Sequence, residues 1–389
     1  MTHGHRSCFG SLCLMALVAL AAGCGSSATN DSHPTQAAGE RISPVQTSCD
    51  RYYGLGDDSA PASWCHSGKY FNWQSTLPEN AGQTIRIFWR CVGDTKDPAI
   101  YMSHGWPTSS YDFEALATDL SKDHYVCLID APGHGFSDKP ETGFVYSVLD
   151  DAALVEHFVK NVAQIPSLTL LSHDRGDSVA LELVRRYEGA RAGSGDAGYT
   201  IKHLIMLNGS IHREQAQISQ LQTWLLDPHS GPTVANSLTG QSLASIMGKE
   251  VYYPVLTRTE TKELATIFDY QNGTKTLDST VLYLTERQVH EDAWLDTLGT
   301  SSVPTTLAWG TRDPFAVPAV ADYVWNTFLS KRTSAHASYW QLPCASHYPQ
   351  HDRTTDIAAI VRTELYKTPF ASTAKTSTCS EPTKLVEVQ

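Results

Sequence analysis

The segment Leu168-Thr-Leu-Leu-Ser-His-Asp-Arg-Gly176 joins an apolar run to Val179–Tyr187, a stretch with helical spacing. Small residues at Ser172 and Gly176 bracket Asp174. This small-x-Asp-x-Gly pattern suits a strand-to-helix turn so sharp that the two backbones pass close together. Such a turn pushes its central side chain out beyond the strand end, where a carboxylate is placed to act as a nucleophile. A plain helix N-cap is the alternative for Asp174. Two further residues favour chemistry. Asp313 follows the apolar run Val303–Trp309, and His347 follows Ser338–Leu342. Taken singly, these are a turn former before Pro314 and a loop histidine. Taken together, they place a nucleophile, an acid and a histidine just past three strand ends, where open sheets of parallel strands carry their sites. A triad of Asp174, Asp313 and His347 is expected. Ala99–Ser103 runs into His104-Gly-Trp-Pro107, a turn that aims the Trp106 amide at the same point as the Arg175 amide. Two such donors form an oxyanion hole.

These residues need a sheet to hold them. Short apolar runs alternate with helical stretches from about residue 66. The candidate strands are Lys69–Ser75, Thr84–Val92, Ala99–Ser103, Tyr125–Asp130, Leu168–Ser172, Lys202–Leu207, Thr305–Trp309 and Ser338–Leu342. Continuous apolar runs suit strands buried on both faces. The expected class is α/β, a mostly parallel eight-stranded sheet with helices on both faces. Residues 210–300 hold no convincing strand and read as four helices, Ile218–Leu226, Val234–Met247, Thr257–Tyr270 and Ser279–Leu298. They form a helical cap inserted after strand six. The core therefore spans residues 49–209 and 301–367, with Gly189–Gly198 as a surface loop and 368–389 as a loose tail. Ser147-x-x-Asp150 and Thr257-x-x-Glu260 are capping-box patterns.

The chain has 389 residues, 29 Lys and Arg against 41 Asp and Glu, and a net charge of −12. That balance disfavours nucleic acid and an anionic membrane face as main partners. Residues 1–24 read as an export signal: Arg6, the apolar run Leu12–Ala22, then Leu-Ala-Ala-Gly-Cys24. The run is too short to span a bilayer. Its end resembles a bacterial lipoprotein cleavage box, which makes Cys24 the lipidated first residue, 25–48 a flexible tether, and the cell envelope the expected location. Ordinary secretion is the alternative. Six cysteines then remain, Cys49, Cys65, Cys91, Cys127, Cys344 and Cys379. An even count in an exported chain allows disulfides, Cys49–Cys65 being the most local. Cys91 and Cys127, on predicted strands, are expected as buried thiols. No CxxC pair occurs, so no metal or redox site is expected.

The set of motifs resembles the α/β-hydrolase fold family over about residues 66–367. Within it, an Asp nucleophile is similar to the epoxide hydrolase and haloalkane dehalogenase branch. His104-Gly-Trp-Pro-Thr-Ser-Ser-Tyr-Asp112, Gly135-Phe-Ser-Asp-Lys-Pro140, Leu171-Ser-His-Asp-Arg-Gly-Asp177 and Ser346-His-Tyr-Pro-Gln350 resemble the mesoderm-specific transcript protein group. The resemblance implies that Asp174 attacks carbon to form an alkyl ester, that His347 activates the water that hydrolyses it, and that Asp313 orients His347. No cofactor is implied, and the substrate is a small, apolar molecule. Asn208-Gly209, where some relatives carry the acid, cannot supply one, which strengthens Asp313. Epoxide opening needs hydroxyl donors from the cap. Tyr252, Tyr253, Tyr270 and Tyr283 are candidates, Tyr253 first. Dehalogenation is the alternative, although its usual halide-binding Trp after the nucleophile is here Arg175. An Arg at that position is similar to haloacetate dehalogenases, where it grips the substrate carboxylate, but the second Arg of that pattern is here Ser178. An ion pair to Asp177 or to a cap acid is the other reading of Arg175. A third possibility is a non-catalytic surface lipoprotein that uses the fold for binding.

Overall fold

The computed structural model describes residues 59–193, 195–371 and 381–386. The signal, Cys24, the tether and Cys49 lie outside them. Nine strands form one sheet: β1 (Lys69–Gln74), β2 (Thr84–Val92), β3 (Ala99–Ser103), β4 (Tyr125–Ile129), β5 (Ser167–His173), β6 (Thr200–Leu207), β7 (Thr305–Gly310), β8 (Ala337–Leu342) and β9 (Lys384–Leu385). Their order is β1-β2-β4-β3-β5-β6-β7-β8-β9. The six strands from β4 to β8 are parallel, while β1, β2 and β9 run antiparallel to their neighbours. Alternate residues of the central strands face opposite ways, as the two-residue period of a strand requires. Tyr101, Leu170, Leu204 and Met206 join one apolar cluster, and Ile100, Met102, Leu171, Ile205 and Leu207 join the other.

Helices cover both faces. They are α1 (Ala60–His66), α2 (Glu114–Leu120), α3 (Val148–His157) and α4 (Arg175–Gly193) before β6. Between β6 and β7 come α5 (Gln220–Leu226), α6 (Gly231–Ser237), α7 (Gly240–Glu250), α8 (Arg258–Asp269), α9 (Leu277–Thr280) and α10 (Tyr283–Thr300). After β7 come α11 (Pro318–Val324), α12 (Pro349–Asp352) and α13 (Thr354–Tyr366). The helical segment before β7 is fastened to the core at its far end. Glu286 accepts from Ser147 Oγ at 2.5 Å and from the Val148 amide at 2.6 Å, so α10 caps the start of α3. Trp294 donates to Glu182 on α4 at 3.0 Å.

Several expectations change. The ninth strand comes from the tail expected to be loose. Two residues in a polar stretch carry no periodic signal, yet their backbone pairs with Trp340 and Gln341. Thr383 beside it is buried against Asp356. Helix α4 runs on to Gly193, into the expected loop. The second cap helix divides because Thr239 caps a new helix through a capping box with Ser242, and the fourth divides into α9 and α10. The Thr257–Glu260 capping box forms. The Ser147 hydroxyl caps α3, but Asp150 turns away to Thr76. Cys91 and Cys127 are not free thiols. Antiparallel pairing of β2 with β4 sets them directly opposite, Cα atoms 4.1 Å apart, and they form a disulfide. Cys65 and Cys344 are disulfide-bonded as well.

Candidate active site

The strand order reverses at β3, which lies between β4 and β5. Brackets of this kind open a crevice at the carboxyl ends of the strands. Trp106 follows β3 and Asp174 follows β5, one on each side of it. Asp174 sits at φ +50°, in the left-handed region that costs non-glycine residues energy. The turn is tight enough that a Cβ on Gly176 would lie 2.3 Å from the Ser103 carbonyl oxygen. A Cβ on Gly105 would lie 2.9 Å from that of Asp174. These close approaches explain the small residues read in the sequence.

The three triad positions meet. His347 Nδ1 lies 2.8 Å from Asp313 Oδ2, and His347 Nε2 lies 3.9 Å from Asp174 Oδ1. The second gap is longer than a hydrogen bond. Asp174 Oδ2 accepts the Trp106 amide at 2.9 Å. The Arg175 amide is the first of α4 and follows Asp174 directly in the chain. Asp313 is gripped four ways. Its Oδ1 accepts the amides of Phe315 and Ala316, and Oδ2 faces His347 and the Asn208 amide group at 2.7 Å. Burial pushes the Asp313 carboxyl up, but the His347 charge and these hydrogen bonds outweigh it and hold it below its ordinary value. Burial pushes His347 down, but Asp313 first and Asp174 after it raise it to about 9.

That shift has a sign. A histidine that binds its proton more tightly folded than unfolded adds stability that is complete below about pH 6.5 and lost as pH rises through about 9. At about 1.4 kcal/mol per unit, the excess stability of wild type over His347→Gln should shrink by about 3 kcal/mol between pH 6 and pH 10. Urea unfolding of both proteins across that range checks it, and a difference that stays flat with pH would rule it out.

Two supporting residues were not read from the sequence. His173 Nε2 donates to the His347 carbonyl oxygen at 2.7 Å, tying the residue before Asp174 to the loop that carries His347. Asn208 holds Asp313. Its signal was its own position, where a relative's acid would stand. Of the four candidates Tyr283 is the one whose phenol lies within reach of the Asp174 charge. Burial, and then the Asp174 charge, push that phenol up.

Two assigned roles need correction. Tyr253 does not face Asp174. Tyr252 takes the inward place, stacked 4.4 Å from the Tyr348 ring, and the Tyr253 ring turns the other way, 4.1 Å from the Arg312 guanidinium. The Arg175 side chain does not face a substrate either. It is 2% exposed and paired with Asp151 of α3. Asp177, the partner considered from sequence, instead accepts from Ser172 Oγ at 2.5 Å. Tyr270 packs on Phe136, away from the triad.

A cavity of about 280 Å³ opens in front of Asp174 and His347. Leu221, Leu243, Ile246, Met247, Val251 and Phe315 give it apolar walls, with Trp106 and Tyr348 beside the carboxylate. A larger hollow of about 790 Å³ lies at the opposite end of the parallel strands, around Lys202 and His336, and no triad residue borders it. Among the described residues, no cluster of His, Cys, Asp or Glu is placed to hold a metal ion. No helix among them is long and apolar enough to cross a membrane.

The family profile of the alpha/beta hydrolase fold matches residues 98–354. The chain belongs to the α/β-hydrolase fold family. It is 31% identical over 295 residues to the mesoderm-specific transcript protein of Mus musculus, spanning 74% of this chain and 82% of that one. A cis-3-alkyl-4-alkyloxetan-2-one decarboxylase of Shewanella oneidensis is 25% identical over 136 residues, 34% of this chain and 40% of that one. Among solved structures, a thermophilic esterase from Thermogutta terrifontis superposes with a TM-score of 0.57 at 16% identity, over 77% of this chain and 98% of that one. This last likeness is one of fold alone.

Proposed function

We propose that the protein is a hydrolase that works through a covalent alkyl ester on Asp174 and opens small apolar epoxides to diols. The observation that carries this reading is the carboxylate itself. It stands at the tip of the turn, bordering an apolar cavity, with the Trp106 amide on one oxygen and the imidazole 3.9 Å from the other. Asp174 attacks a ring carbon, the carbon–oxygen bond breaks, and its electron pair passes to the ring oxygen. Tyr283 is the acid that protonates that oxygen. While Asp174 is an anion its charge holds the proton on the phenol; once it is an ester that hold is gone, and the phenol donates to the new alkoxide.

Alkylation also removes one of the charges that keep His347 protonated. His347 passes its proton to the phenolate and becomes a base. It then deprotonates a water that attacks the ester carbonyl carbon, while the amides of Trp106 and Arg175 stabilise the oxyanion. Collapse of the tetrahedral intermediate frees the diol and restores Asp174 and protonated His347. Asp313 stabilises the imidazolium at each stage where His347 carries its proton.

Halide release is less well served. The Trp106 indole N–H donates to Thr280 Oγ1 at 3.0 Å, and the Arg175 guanidinium is held by Asp151. Neither is left to meet a departing halide or a substrate carboxylate. The test is a panel of epoxides, haloalkanes, haloacetates and esters, analysed for diol, halide and acid. Diol from terminal epoxides is the expected product. Halide without diol would replace epoxide opening with dehalogenation, and no turnover of any member would leave the binding-protein reading standing.

A further inference from the structure

Arg287 lies on α10 one helical turn beyond Tyr283, so the two side chains leave the same face. It is 2% exposed. Its Nε donates to Ser178 Oγ at 2.7 Å, one terminal nitrogen to the Ser210 carbonyl at 3.0 Å, and the other to the Asp174 carbonyl at 3.0 Å. All three acceptors are neutral. A cation so buried is costly unless its charge serves something nearby. The guanidinium also stands 4.9 Å from the centre of the Tyr283 ring. The Arg175 guanidinium approaches the same ring at 5.9 Å, but its charge is met by Asp151. The Arg287 charge reaches the phenol as well as the nearby Asp177 carboxyl, with neutral groups taking its hydrogen bonds.

We infer that Arg287 is a positioning residue for ring opening: it fixes Tyr283 over Asp174 and stabilises the phenolate left when the phenol gives up its proton. The inference rests on the ring-opening reading above. As Asp174 bonds to carbon, the departing ring oxygen takes the phenolic proton. The phenolate charge then sits against the guanidinium until His347 returns a proton. The same contacts explain a feature of the turn. Ser178 stands where an Arg would reach a substrate carboxylate in haloacetate chemistry. Here its hydroxyl instead seats an Arg brought in from α10, turned toward the tyrosine.

The experiment uses the full chain and 1,2-epoxyhexane, with diol formation read as kcat and KM separately. Arg287→Gln should lower kcat about 100-fold, with KM changed less than about threefold, because a group that acts in the transition state leaves ground-state binding alone. Arg287→Lys keeps a cation near the ring and should recover most of the loss. Tyr283→Phe should lose as much as Arg287→Gln, and the double variant should be no slower than Tyr283→Phe, as expected for residues that act through one another. A loss carried by KM, or a double variant slower by a further 100-fold, overturns the inference. Should Arg287→Gln fail to fold, Arg287→Lys decides alone: a KM rise with kcat unchanged overturns it, and a kcat loss of up to about tenfold with KM unchanged supports it. Wild type that makes no diol from any epoxide overturns the ring-opening reading first, and that failure shows before any variant is made.

Discussion

His347→Gln protein mixed with an epoxide substrate should become heavier by the mass of one whole epoxide and stay so. The first half of the reaction needs Asp174, Tyr283 and the Trp106 amide, and all three remain. The second half needs a base 3.9 Å from the carboxylate oxygen, and glutamine offers none. Steady turnover should fall by about 10³-fold or more, with a burst of one equivalent of epoxide consumed. Mass spectrometry of the intact protein and of the peptide carrying residue 174 checks both adduct and position. An epoxide adds its entire mass because ring opening releases nothing, whereas a haloalkane adds its mass less that of the hydrogen halide. The same spectrum thus separates the two chemistries. An unmodified protein after hours with substrate would contradict the covalent route.

Asp174→Asn should stop the reaction at its first step. The amide oxygen still accepts from Trp106, and Asn tolerates the left-handed backbone at φ +50° as well as Asp does. The fold should survive, with a melting temperature within about 3 °C of wild type. Diol formation should drop by about 10⁴-fold or more, since Asp174 is the carboxylate that accepts the Trp106 amide and an amide group cannot attack carbon in its place. Circular dichroism melting and diol assays test the two halves together. Full activity in a well-folded variant would mean that another group is the nucleophile.

The parts of the site readable in the sequence are those that one strand end and one turn define. Asp174, Trp106, Asp313 and His347 each sit within a few residues of an apolar run, and the order of the sheet brings the runs together. Gly176 and Gly105 announce their turns because a side chain there has no room. What stayed hidden depends on packing between distant segments. Asp151 is an acid on a helix, the commonest of surface features, and only the approach of α3 to α4 turns it into the partner of Arg175. Among four cap tyrosines, the direction of each ring is set by how α7 to α10 and their joining loops settle on the core, so sequence does not favour Tyr283 over Tyr253. The Cys91–Cys127 bond needs the register of an antiparallel pair whose strands are separated by β3 in sequence. Strand β9 is two residues long and is held by its backbone, which leaves no trace in side-chain pattern.

The helical segment between β6 and β7 touches the reaction in two unlike ways. Gln220, Leu221 and Gln222 of α5, with Leu243, Ile246 and Met247 of α7, only wall the cavity. Thr280, Tyr283, Glu286 and Arg287, in α9 and α10, grip Trp106, Asp174 and α3. On the proposed mechanism, what the protein accepts and how it reacts are thus written on separate stretches of one insertion. Mutational drift in the first stretch reshapes the guest's berth while the second keeps the reactive centre intact, so relatives with the same chemistry are free to diverge in diet.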